Sequence, residues 1–157
     1  MIASTSLSEC RICRSTSGIT TFLLYDRHFS SLRGRPIEFL EIGVAQGANL
    51  QLWRKYLGAE ARIFCIDVVP EFAKFNGLSR QVRIGSQDDP IFLPETVREM
   101  EGIDLVPDDG SHRMEHIQAS LNVLFPLLSD TSFMLSRICT PPILKKSEVA
   151  FIPEIFF

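Results

Sequence analysis

An α/β fold on a doubly wound, mainly parallel sheet is what this sequence predicts, and three observations predict it. Short apolar runs alternate with stretches of helical periodicity. A tight glycine turn, Gly43 and Gly47, joins the first run to the first helix. Polar clusters follow the carboxyl ends of four predicted strands, where open α/β sheets bind their ligands.

Residues 1 to about 35 form a lead-in with a short helix, Phe22 to Leu32, punctuated by Gly34 and Pro36. Strand one is Ile37 to Ile42. The spacing then predicts a helix over Ala48 to Leu57, with Leu50, Trp53 and Leu57 on one face. Arg54 and Lys55 sit in its last turns, where cations complement the helix dipole, and Gly58 follows as a C-cap. Strand two, Arg62 to Ile66, is a continuous apolar run of the kind buried on both faces, and it ends at Asp67. Val82 to Ile84 is a short third strand, with a polar loop after Gly85 and a helix around Glu95 to Met100. Ile103 to Val106 is strand four. Met114 to Leu128 is a helix with Ile117, Leu121, Leu124, Phe125 and Leu128 at core spacing, kinked or ended by Pro126. Residues 36–130 make the expected core. Thr131 to Phe157 shows no strand-turn-helix grammar and reads as an atypical tail, whose apolar pieces either add an edge strand or stay loose.

Composition narrows the class. A chain of 157 residues suits one domain, and 45% hydrophobic with 22% charged residues is ordinary for a globular protein. A net charge of -3 gives no reason to expect nucleic acid or an anionic membrane as partner. No apolar run approaches the ~20 residues of a membrane span. Cys10, Cys13, Cys65 and Cys139 do not form a disulfide framework, and a lone C-x-x-C without a second pair is a poor zinc site. The Ser-, Thr- and Arg-rich N-terminus is compatible with an organelle transit peptide but reads more simply as an unstructured lead-in. A cytoplasmic setting is expected, and self-association is compatible with the sequence.

Two stretches carry the chemistry. In the first, Glu41, Gly43 and Gly47 end strand one and open a helix, so bare backbone and a helix N-terminus face a ligand. A dinucleotide fingerprint requires G-x-G-x-x-G, and here Ala45 takes the middle position. Glu41 suits a positively charged ligand. S-adenosylmethionine, with its ammonium and sulfonium, fits better than a pyrophosphate. Asp67, at the end of strand two, can accept hydrogen bonds from ribose hydroxyls. The second stretch is Asp108-Asp109-Gly110-Ser111-His112. Adjacent carboxylates at a strand end can hold magnesium, although strand alternation turns only one of them toward the site. His112 can take a proton from a hydroxyl near neutral pH. The same stretch also reads as a turn and helix N-cap.

Five blocks occur in order: Leu40-Glu41-Ile42-Gly43-Val44, Leu50-Gln51-Leu52-Trp53, Ile63-Phe64-Cys65-Ile66-Asp67, Gly85-Ser86-Gln87-Asp88-Asp89-Pro90 and Asp108-Asp109-Gly110-Ser111-His112. Together they resemble a class I S-adenosylmethionine-dependent methyltransferase of Rossmann-like fold. The nearest branch is the metal-dependent sugar O-methyltransferases of macrolide biosynthesis, related to the cephalosporin hydroxylase-like family. The resemblance spans about Tyr25 to Leu128. It implies that Glu41, Gly43 and Gly47 line the methionine end of the cofactor, that Asp67 binds the ribose and that Gln87 lies near the adenine. It also implies that Asp109 is a magnesium ligand and His112 the general base acting on a hydroxyl of a small-molecule acceptor.

Three departures accompany the resemblance. Ser86 stands where the family has an acid. Pro107 removes a ladder donor from an interior strand. Beyond Leu128 the family's glycine turn, fifth strand and acidic pair are not recognisable, so the expected sheet lacks its later strands and the chain reads as C-terminally truncated. Asp130, Glu148 and Glu154 are the only later acids. The alternatives are a cofactor-binding remnant without activity, an NAD-type oxidoreductase, and a metal hydrolase using Asp109, His112 and His116.

Overall fold

The structure, a computed structural model, describes residues 26–44, 47–77, 80–136 and 143–145. Cys10, Cys13, Cys139, Glu148, Glu154 and the first part of the predicted N-terminal helix lie outside the described residues. Residues 26–29 are helical and run into a 3-10 turn at Ser30–Leu32. Then come β1 (Glu38–Ile42), α1 (Ala48–Leu57), β2 (Arg62–Asp67), a 3-10 segment (Pro70–Phe75), β3 (Gln81–Ile84) and α2 (Phe92–Arg98). The chain continues with β4 (Leu105–Asp108), α3 (Met114–Leu124), β5 (Phe133–Ser136) and β6 (Ile143–Lys145).

The strand order is β3-β2-β1-β4-β5-β6. The first five strands pair in parallel, and β6 is antiparallel to β5. Order reverses between β1 and β4, so the two strand ends that meet there carry Glu41 and Asp109. Alternation gives the sheet two apolar faces. Phe39, Ile63, Cys65, Leu105 and Leu135 pack with Leu50, Trp53 and Leu57 of α1. Leu40, Ile42, Phe64, Ile66, Val106 and Met134 pack with Leu93, Leu121 and Leu124 of α2 and α3. This is the doubly wound α/β architecture that the alternating pattern predicts. No helix among the described residues is long and apolar enough to cross a membrane.

Several boundaries differ from the sequence reading, each for a local reason. β4 starts two residues late and includes Pro107. Asp104 precedes it, with Oδ2 accepting the Glu38 N–H at 2.8 Å. Asp109 N–H donates to the Ile42 carbonyl. By alternation, the donor missing at Pro107 therefore faces β1, and pairing there is confined to Phe39 with Leu105 and Ile42 with Asp108. The ladder to β5 continues through Pro107 opposite Leu135. α2 begins at Phe92 rather than near Glu95, because Asp89 Oδ1 accepts the N–H groups of Ile91 and Phe92. Pro94 then falls in the first turn, where its missing donor is harmless. The long helix gives way to a 3-10 turn, Phe125–Leu127, containing Pro126.

The expected absence of later strands is corrected. β5 lies within the stretch read as an atypical tail and pairs in parallel with β4. Ser132, fully buried, donates to the Ile103 carbonyl at 2.6 Å and accepts the Ser129 N–H, which fixes where β5 enters the sheet. The sheet thus runs past residue 130, and β6 covers the outer edge of β5.

Candidate functional site

Glu41 is the residue whose environment is hardest to explain by structure alone. It stands on the α1 face of β1, only 1% exposed. Its Oε1 accepts the Trp53 indole N–H at 3.2 Å. Its Oε2 is buried with no hydrogen-bond partner among the described residues. Burial lifts the carboxyl from the ordinary 4.5 to about 8, against the Trp53 hydrogen bond, with help from the charge of Asp109 and against the nearby Asn49 amide. A buried carboxylate oxygen left without a donor is costly unless something else meets it.

The glycine turn lets neighbouring segments pack closely beside it. Gly43 has φ +92, and a Cβ there would lie 2.5 Å from the Asp109 carbonyl oxygen. β1 and the loop after β4 can approach this closely only because that side chain is absent. Gly47 has φ +74 and caps α1, with the Phe75 ring against it. Asp67 Oδ2 accepts the Val44 N–H at 2.8 Å, and Oδ1 accepts that of Val69 at 3.0 Å. One carboxylate therefore anchors the turns after both β1 and β2, and its remaining lone pairs can still accept hydroxyl donors.

At the end of β4 the two aspartates part, as strand alternation requires. Asp108 turns inward and is 3% exposed, its Oδ2 meeting Gln87 Nε2 and Ser120 Oγ. Burial pushes its carboxyl up. Asp109 turns to the mouth, with Oδ2 3.5 Å from Asn49 Nδ2 and Oδ1 3.7 Å from His112 Nε2. Glu41, Asn49, Asp109 and His112 are thereby gathered on one side, with Gly43 beneath them. Asn49 escaped the sequence reading because it lies off the apolar stripe of α1. Trp53 is core, as read, and also the donor to Glu41.

Gln87 is placed differently from the other candidates. It is 6% exposed, and its amide is spent on Asp108, Ser120 and the Ser111 N–H. His116 is not drawn to His112; its Nε2 lies 3.5 Å from Asp88 Oδ2. Among the described residues no group of three His, Cys, Asp or Glu could hold a metal ion. That arrangement gives the hydrolase alternative no ligand set. Cys65 is a buried thiol that burial pushes well up, so it is no nucleophile.

A parallel sheet ordered 3-2-1-4-5, with a glycine turn after β1 and acids ending β1, β2 and β4, has the architecture of the S-adenosylmethionine-dependent methyltransferases. No family model matches the chain. Its sequence is 35% identical over 117 residues to 8-demethyl-8-(2-methoxy-alpha-L-rhamnosyl)-tetracenomycin-C 3'-O-methyltransferase of Streptomyces olivaceus, covering 70% of this chain and 30% of that one. It is 32% identical over 116 residues to L-olivosyl-oleandolide 3-O-methyltransferase of Streptomyces antibioticus, covering 69% of this chain and 30% of the relative. The solved MycE methyltransferase of the mycinamycin biosynthetic pathway, in complex with Mg and SAH, superposes with a TM-score of 0.68 at 29% identity. That match covers 73% of this chain and 30% of MycE. CalS11, a TDP-rhamnose 3'-O-methyltransferase, shares the fold at TM-score 0.59 and 18% identity. The chain is therefore similar, in sequence and fold, to one segment of these O-methyltransferases, and it spans about a third of the length of the relatives it matches.

Proposed function

We propose that this chain carries the cofactor-binding part of an S-adenosylmethionine-dependent O-methyltransferase acting on a hydroxyl of a small molecule, as the names of its relatives indicate for them. The single observation that carries the reading is Glu41: a buried carboxyl with one oxygen unmatched, close to Gly43, whose missing side chain lets the loop after β4 come near. That combination fits the ammonium end of S-adenosylmethionine. Glu41 and the turn at Gly43 and Gly47 hold the methionine end, and Asp67 accepts the ribose hydroxyls. The bound cofactor supplies an electrophilic methyl group. His112, with Nε2 turned toward the Asp109 carboxylate, takes the proton of the acceptor hydroxyl at Nδ1, and Asp109 stabilises the imidazolium that results. Most of the rate is expected from positioning donor and acceptor. The setting is proposed to be cytoplasmic.

Asp109 fits as one ligand to magnesium, the ion present in the MycE structure. Magnesium is commonly held by one or two carboxylates with water completing its shell, so Asp109 would serve as its carboxylate ligand here, with no group of three ligands among the described residues. The test is calorimetric titration with S-adenosylmethionine and S-adenosylhomocysteine, with and without magnesium. Both are expected to bind with little dependence on magnesium, and Asp67→Ala to weaken them by about tenfold. A folded chain that binds neither would defeat the proposal.

A further inference from the structure

His112 is the one described residue other than glycine with positive φ, at +57. A side chain in the left-handed region persists only where its surroundings over-determine it. The residues before it show how. Ser111 N–H donates to Gln87 Oε1 at 3.0 Å, and Gly110 N–H donates to Asp108 Oδ1 at 3.2 Å. Gln87 Nε2 donates to Asp108 Oδ2 at 3.0 Å, and Ser120 Oγ lies 3.2 Å from the same oxygen. Gly110 has no room for a side chain, because a Cβ there would collide with the Gln87 carboxamide and, at 2.9 Å, with Ile42 Cγ2. The loop after β3, the end of β4 and the middle of α3 are thus joined in one buried polar network. Such a network specifies one geometry when its members are satisfied.

We infer that Gln87 is a positioning residue: through Ser111 and Asp108 it fixes the left-handed turn that presents His112 beside Asp109, and it does not touch the adenine. The reading of His112 as the base rests on the function proposed above, whereas the clamp itself does not. Both ends of the Gln87 amide are already engaged inside the protein, Nε2 with Asp108 and Ser120 and Oε1 with the Ser111 N–H.

The experiment compares the full chain with Gln87→Leu and with Ser120→Ala, the milder variant that removes one member from the α3 side. Two quantities are read: the Cα and Cβ chemical shifts with the HN–Hα coupling of His112, which report its φ, and the calorimetric Kd for S-adenosylhomocysteine. Gln87→Leu is expected to take His112 out of the left-handed region while the Kd stays within about twofold. Ser120→Ala is expected to move the same signals in the same sense by less, and it decides the matter if the leucine variant does not fold. Unchanged His112 signals in a folded variant would overturn the inference. So would a Kd weakened about tenfold, which is the result an adenine contact gives. A wild-type chain that binds no S-adenosylhomocysteine defeats the cofactor reading alone, and the His112 signals still decide the role of Gln87.

Discussion

Glu41→Gln is expected to improve folding at alkaline pH while removing most of the affinity for S-adenosylmethionine. The sign follows from linkage. Folding raises the Glu41 carboxyl from 4.5 to about 8. Below pH 4.5 it is protonated in both states and contributes nothing. Between 4.5 and 8 the unfolded chain ionises first, so stability falls as pH rises, and the loss is complete above 8. A shift of that size corresponds to a few kcal/mol. Glutamine cannot ionise and keeps an oxygen for the Trp53 indole. Urea unfolding at pH 5 and pH 9 should therefore show the two proteins close together at the acid value and the variant ahead by a few kcal/mol at the alkaline one. Parallel stability profiles would mean that Glu41 is ionised in the folded protein across the range. A bound ammonium reverses the preference by favouring the carboxylate, so cofactor binding below pH 8 is expected to release a proton.

Gly43→Ala has the largest expected cost among the glycines. Its Cβ would meet backbone, the Asp109 carbonyl oxygen at 2.5 Å and Gly110 Cα at 2.9 Å, at a φ of +92. Neither neighbour can give way, because Asp109 N–H is bonded to the Ile42 carbonyl and Gly43 N–H to that of Ile66, both at 2.9 Å. The strain and the overlap add, for a loss of about 3 kcal/mol or more. Gly34 is the control. Its φ is +69, but nothing lies within 4 Å of a Cβ there, so Gly34→Ala carries the conformational cost alone, about 1 kcal/mol. Equal losses in urea unfolding would show that the crowding at Gly43 is relieved by loop movement.

These two positions were legible in the sequence, and for the same reason. An apolar run, an acid and two glycines before a helical stripe encode a local geometry, and the structure places β1, the turn and α1 where that pattern puts them. The partners of Glu41 were not legible. Trp53 is twelve residues away and reads as core, and Asn49 lies off the apolar face. Asp67 was found from its place at a strand end, but its bond to the Val44 N–H spans 23 residues and no periodicity reports it. Gln87 shows the limit most clearly. Its partners lie 21, 24 and 33 residues away, so a polar residue in a polar loop turns out to be buried. β5 is four residues long, too short to show a period, and only its pairing with β4 and the Ser132 anchor identify it.

The central claim is that the cofactor binds at the carboxyl ends of β1, β2 and β4. Titrating the labelled chain with S-adenosylhomocysteine and following its amide and indole NMR signals tests this most directly. Shifts are expected at Glu41 to Val44, Gly47, the Trp53 indole, Asp67 to Val69 and Asp109 to Ser111, with Glu38, Arg62 and Asp104 at the opposite pole unmoved. A well-dispersed spectrum that does not respond, or shifts confined to the opposite pole, would contradict it.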